Sequence, residues 1–127
     1  MKRHSAFEYT PADVRKILLE LRYFYTAQQL SDKWHITPYR LRQWKRQWNY
    51  AYLTGTLREL VIVAVHQGAQ TSADVIAYLD YLDHAVYTAD EISAVLAQLE
   101  AEELVVQRNG HWRYNQLHSA NDTSFIF

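Results

Sequence analysis

Between Thr37 and Trp48 the chain reads TPYRLRQWKRQW, in which Arg, Lys, Gln and Tyr are interleaved with Leu and Trp. At helical periodicity Leu41, Trp44 and Trp48 share one side, leaving Tyr39, Arg40, Gln43, Arg46 and Gln47 on the opposite one. Those polar groups have the geometry that reads base edges. A guanidinium forks onto guanine and a carboxamide onto adenine, in a major groove wide enough for one helix. Thr37, Arg42, Lys45 and Lys33 flank that face and suit phosphate oxygens, which require positive charge or a hydroxyl but no base-specific geometry. The expected partner is double-stranded DNA; a solvated basic helix face is the alternative.

The distribution of charge supports the first of these. Residues 1–58 hold eleven Lys and Arg against four acids, a net +7, and residues 59–127 hold two Arg against ten acids, a net −8. A whole-chain charge of −1 therefore conceals one half suited to a polyanion and another that a polyanion would repel.

Other chemistries find little support. The six His (His4, His35, His66, His84, His111 and His118) are scattered, and Asp80, Asp83 and His84 form the only cluster, a pattern more typical of a solvated helix face than of a metal site. Three glycines make no phosphate loop, and no Ser stands in a nucleophile elbow. No catalytic residue, metal or cofactor is expected, and the chain is not read as an enzyme. Trp34, Trp44 and Trp48 are expected in the core rather than as stacking platforms.

These residues require elements to position them. Thr10 caps an expected first helix near 11–24, with Pro11 in the tolerated first position and Val14, Ile17, Leu18, Leu21 and Tyr25 as its apolar stripe. Helices over 27–34 and 38–48 follow, joined by His35-Ile36-Thr37, with Thr37 capping the latter. Residues 49–56 show no period and hold Gly55, so the join between halves is placed there. Beyond it come helices over 57–67 and, behind a Ser72 cap, 73–83. A third opens with the capping box Thr88-Ala-Asp-Glu91 and buries Ile92, Val95, Leu96 and Leu99. Strands over 104–108 and 111–115 are joined by Asn109-Gly110, a dipeptide that tolerates the positive φ of a tight hairpin. The expected fold is mainly α with a small β-hairpin wing: a basic helix-turn-helix domain (1–55), an acidic winged-helix domain (56–115) and a tail (116–127).

The segment Tyr25 to Arg46 resembles the head of the mercury-resistance regulator (MerR) family through Tyr25-Thr26, Leu30, Ile36, Thr37, Pro38, Leu41 and Arg42. The resemblance covers about 22 residues and implies a DNA-reading second helix. It departs from the family in three ways: His35 stands where Gly is usual, a whole helix precedes the motif, and no wing follows it directly. His35 must therefore take a left-handed backbone or reshape the turn. Effector sensing is not carried over.

Residues 91–105 and the hairpin Arg108-Asn-Gly-His-Trp-Arg-Tyr114 resemble the winged-helix domains of the PadR and MarR families. The helix that would read DNA there carries Asp90, Glu91, Glu100, Glu102 and Glu103 and no cation, so it is not expected to enter a major groove. Two uses remain: Arg108, His111 and Arg113 let the wing alone touch DNA, or the domain mediates assembly, with Tyr78, Tyr81, Leu82, Phe125 and Phe127 as interface candidates. Assembly as a homodimer, or with another protein, is favoured.

The apolar run Leu60 to Val65 is too short to span a membrane, and the start MKRHSAFEYT lacks the apolar stretch of a secretory signal. A cytoplasmic location is expected; the absence of cysteine fits either redox compartment. The expectation is a sequence-specific DNA-binding protein used in transcriptional regulation. The competing classes are a protein–protein adaptor and a mobile-element or replication accessory factor.

Overall fold

In the computed structural model, residues 8–115 and 126–127 are described. Among them the elements run α1 (Pro11–Tyr23), α2 (Ala27–Trp34), α3 (Pro38–Gln47), a 3-10 turn (Tyr50–Tyr52), α4 (Leu57–His66), α5 (Ser72–Asp83), α6 (Ala89–Ala101), β1 (Val105–Arg108) and β2 (His111–Tyr114). The fold is mainly helical with one small antiparallel hairpin. Two compact units divide between Thr54 and Gly55.

Every one of these six helices starts at a threonine whose hydroxyl accepts a backbone N–H of the first turn. In five of them the third helical residue returns the bond: Asp13, Gln29, Glu59, Asp74 and Glu91 each accept from the cap's own N–H. The exception is α3, where that position is Arg40, a side chain with no acceptor. Thr71 and not Ser72 caps α5, a correction to the sequence reading. Asp74 lies three residues beyond Thr71 and completes a box with it, so Ser72 becomes the first helical residue.

The first unit packs α1, α2 and α3 around Val14, Ile17, Leu18, Leu30, Ile36, Leu41 and Trp44. Trp34 and Trp48 pack against this core, as expected of them, and Leu21 and Tyr25 of the α1 stripe are half-buried. Glu20 is also fully buried. Its carboxylate accepts from Lys33 Nζ at 3.0 Å and from Trp34 Nε1 at 2.9 Å, so both oxygens are satisfied by α2. A carboxylate so enclosed is tolerable only because charge and hydrogen bonds meet it from the same direction.

In the second unit α4 is buried from Glu59 to Val65, which accounts for its nearly continuous apolar sequence. It packs against α5, α6 and β2. Ile92, Leu96 and Leu99 of α6 complete the core, while Val95 is half-buried. The hairpin turns at Asn109 (φ 54°) and Gly110 (φ 78°), as the dipeptide requires. Trp112 N–H donates to Gln70 O at 2.7 Å, pinning β2 to the turn ahead of α5. Ile126 is buried and Phe127 half-buried, so these two residues are covered within the chain and leave little for an interface. Phe125 lies outside the described residues. None of the described helices is long and apolar enough to cross a membrane.

Candidate nucleic-acid interface

The turn between α2 and α3 sets the angle at which α3 is presented. His35 takes the left-handed conformation (φ 56°), and the N–H groups of His35 and Ile36 both return to Ser31 O. That closes α2 abruptly and leaves Ile36 to drop into the core. Thr37 then opens α3, its hydroxyl accepting Arg40 N–H at 3.1 Å. As a phosphate contact Thr37 is thus already engaged as a cap, though it remains exposed.

α3 wedges Leu41 and Trp44 into the core, with Trp48 half-buried beside them. Tyr39, Arg42 and Arg46 are exposed, and Gln43 is half-exposed, its Nε2 donating to Tyr39 Oη at 3.2 Å. Positions 39, 42, 43 and 46 follow the spacing of a single helical stripe. Tyr39 is 60% exposed, a large ring left in solvent at the start of a cationic face. Gln47 and Lys45 are exposed on either side of it.

Two of the residues predicted from sequence serve other purposes. Arg40 is half-buried, with its guanidinium over the rings of Tyr9 (5.2 Å to the centroid) and Trp44 (5.0 Å). Tyr9 in turn stands edge-on to Trp44 and Trp34 and donates its hydroxyl to Trp34 O. Burial pushes the Tyr9 hydroxyl above the ordinary tyrosine range, opposed by Arg40, and so keeps it a donor. Arg40 thus lies at the margin of the face and braces the residue ahead of α1. Arg42, expected at the phosphates, occupies the central stripe in its place. Lys33, which is exposed, is paired with Glu20 and lies over the rings of Tyr25 and Trp34, so its charge is already engaged within the unit. Arg40 over Trp44 is an i, i+4 pair within α3, but Arg40 with Tyr9 and Lys33 with Glu20 were not visible as spacing, because each joins residues far apart in the chain.

No acid lies between Lys33 and Arg58. Of the first unit's described carboxylates, Asp13 closes the α1 cap, Glu20 is buried and Asp32 accepts from Gln28, while Glu8 is exposed ahead of α1. The result is a helix face with cations, a carboxamide and a phenol and no competing anion, as a polyanion requires.

In the second unit the cross-strand pairs Arg108 with His111 and Val106 with Arg113 put the three polar wing candidates on the same side of the hairpin, all exposed. The exposed side of α6 carries Asp90, Glu91 and Glu100, and Glu102 at its end pairs with Arg58. On α5, Tyr78 and Leu82 are half-buried and Tyr81 is 80% exposed; Val86, which sequence reasoning passed over, is 82% exposed in the following loop. Among the described residues no three His, Asp or Glu gather as a metal site would need. No family model, curated protein or solved structure matches the chain.

Proposed function

We propose that this chain is a sequence-specific DNA-binding protein, used as a transcriptional regulator, in which α3 of the first unit enters the major groove. The observation that carries this reading is the acid-free stripe Tyr39, Arg42, Gln43 and Arg46, directed to solvent by the burial of Leu41 and Trp44. Arg42 and Arg46 are suited to guanine edges and Gln43 to adenine, with Lys45 and Gln47 toward the backbone. The acidic unit stays off DNA and supports assembly with a second copy through Tyr81 and Val86, since a single small reading helix contacts few base pairs and paired half-sites are the usual remedy.

The test is duplex affinity across a salt series with the full chain. Counterion release gives a steep fall of affinity with salt, and Lys45→Ala lowers the slope by about one while weakening all sequences alike. Arg42→Ala or Gln43→Ala costs about 1–3 kcal/mol on the best site and relaxes preference at particular base pairs. A shallow slope with no duplex preference would instead favour an adaptor whose basic face meets an acidic protein. Sedimentation decides the assembly: a monomer even on a duplex with two half-sites leaves the second unit to another partner.

A further inference from the structure

Where α3 ends, the chain does not run straight on. Trp48 closes the helix, Asn49 takes a left-handed backbone (φ 51°), and Tyr50–Tyr52 form a 3-10 turn that folds back. Between that turn and the last turn of α3 lies a broad, shallow hollow of about 550 Å³ lined by Lys45, Arg46, Asn49, Tyr50 and Ala51. Its floor is held from beneath. Arg22 of α1 lies over the Tyr50 ring (5.9 Å) and donates to Tyr50 O at 3.4 Å, and Lys45 lies over the same ring at 4.9 Å. Burial raises the Tyr50 hydroxyl above the ordinary tyrosine range, so it stays protonated and able to donate.

Tyr52, next in the chain after the hollow's rim, is 85% exposed, the most exposed large apolar side chain among those described. Its backbone N–H is used, donating to Asn49 O at 2.8 Å, which orders the turn while the ring is left outside. A closed duplex offers such a ring no free base face, because its bases are already stacked on one another and a wedge between them must first unstack a step. An unpaired base does: every base has a π-face, and a cationic groove beside an exposed aromatic is the combination that holds single strands.

We propose that this hollow is a second nucleic-acid site, taking one unpaired nucleotide at the edge of the bound duplex: Lys45 holds its phosphate, Asn49 and Tyr50 donate to it, and Tyr52 stacks on its base, while Arg46 at the rim stays with the duplex. The inference rests on the reading of the first unit as a nucleic-acid-binding module. It extends that reading from a closed duplex to a junction between paired and unpaired DNA.

The experiment compares three fluorescent probes with the full chain: a blunt duplex, the same duplex carrying a short thymine overhang, and oligothymidine alone. The overhang raises affinity roughly tenfold, about the worth of one stacked base. Tyr52→Ala abolishes the gain and leaves blunt-duplex affinity unchanged, whereas Tyr52→Phe retains it; exposure of the ring keeps either change from disturbing the core. Equal affinity for blunt and overhung duplexes, or a gain that survives Tyr52→Ala, overturns the proposal while leaving duplex reading intact. Binding of overhung duplex and oligothymidine without blunt-duplex binding does the reverse, supporting the hollow and removing the major-groove reading. No binding of any probe removes both.

Discussion

The two units obey the same local rules and carry opposite charge. Each builds its helices on threonine caps, and each contains a histidine in the left-handed conformation just past a helix: His35 at φ 56° after α2 and His84 at φ 55° after α5. In the first unit Asp13 closes a cap and Glu20 is fully buried, leaving Glu8 and Asp32 as its exposed carboxylates among the described residues. In the second Glu59, Asp74 and Glu91 close caps in the same way, and Asp80, Asp90, Glu100 and Glu103 add exposed carboxylates beyond them. Such a difference belongs to the surface and not to the helical framework, which is why architecture alone is a poor guide to use. One place breaks the shared grammar. The third residue of α3 is Arg40 where the other helices have Asp, Glu or Gln, and departures of this kind concentrate where a surface has a job other than stability.

The comparison is broken most severely through the ion pairs. Glu20 is buried between Lys33 and Trp34, while Glu102 in the second unit meets Arg58 half-exposed. Glu20→Ala removes a buried carboxylate and leaves the half-exposed Lys33 ammonium and the Trp34 indole N–H without their acceptor, at an expected cost of about 1.5–3 kcal/mol. Glu102→Ala is expected to cost less than about 1 kcal/mol. Urea unfolding followed by tryptophan fluorescence resolves this, because Trp34, Trp44 and Trp48 report on the first unit and Trp112, isolated in a variant with those three replaced by Phe, on the second. Equal costs for the two substitutions would mean that the buried pair does not hold α1 to α2.

A smaller effect concerns pH. The raised Tyr9 value means that the folded first unit favours the protonated phenol, so this stability is present below about pH 10 and is lost as pH climbs through the folded value. Tyr9→Phe gives up the bond to Trp34 O, about 0.5–1.5 kcal/mol at neutral pH, and makes the alkaline decline shallower. Tyr50, shifted in the same direction, keeps part of the decline in place. An alkaline unfolding profile unaltered by Tyr9→Phe would show that the Tyr9 hydroxyl carries no linkage.

The smallest effect sharpens the parallel between the units. His35→Gly and His84→Gly each relieve a left-handed side-chain-bearing residue, and each is expected to stabilise by up to about 1 kcal/mol in thermal melts. Because His35 is exposed beside the start of α3, the pair also probes the interface. Duplex affinity that falls with His35→Gly alone would add His35 to the contact surface; affinity unchanged by either confines both to backbone geometry.

Residues 1–58 and 59–127 differ in charge before any folding, and the helix starts and the hairpin turn are likewise properties of the sequence itself. The signals for them act within a few residues: a hydroxyl reaches the N–H three positions on, and Asn109-Gly110 accepts positive φ without help from elsewhere. The inward wedge of Leu41, Trp44 and Trp48 was legible for the same reason, since helical spacing settles which side chains share a face. Even locally, competition misleads: Thr71 outbids Ser72 as a cap because Asp74 stands at the right distance only from Thr71. What tertiary structure decided lies between distant positions. Glu20 meets Lys33 across 13 residues and Tyr9 meets Trp34 across 25, and such contacts give Lys33 a carboxylate partner and Arg40 the Tyr9 ring. Charge and periodicity name the residues able to reach a polyanion. Only packing decides which of them are left in solvent to do so, because a cation's partner is chosen by proximity in space and not along the chain.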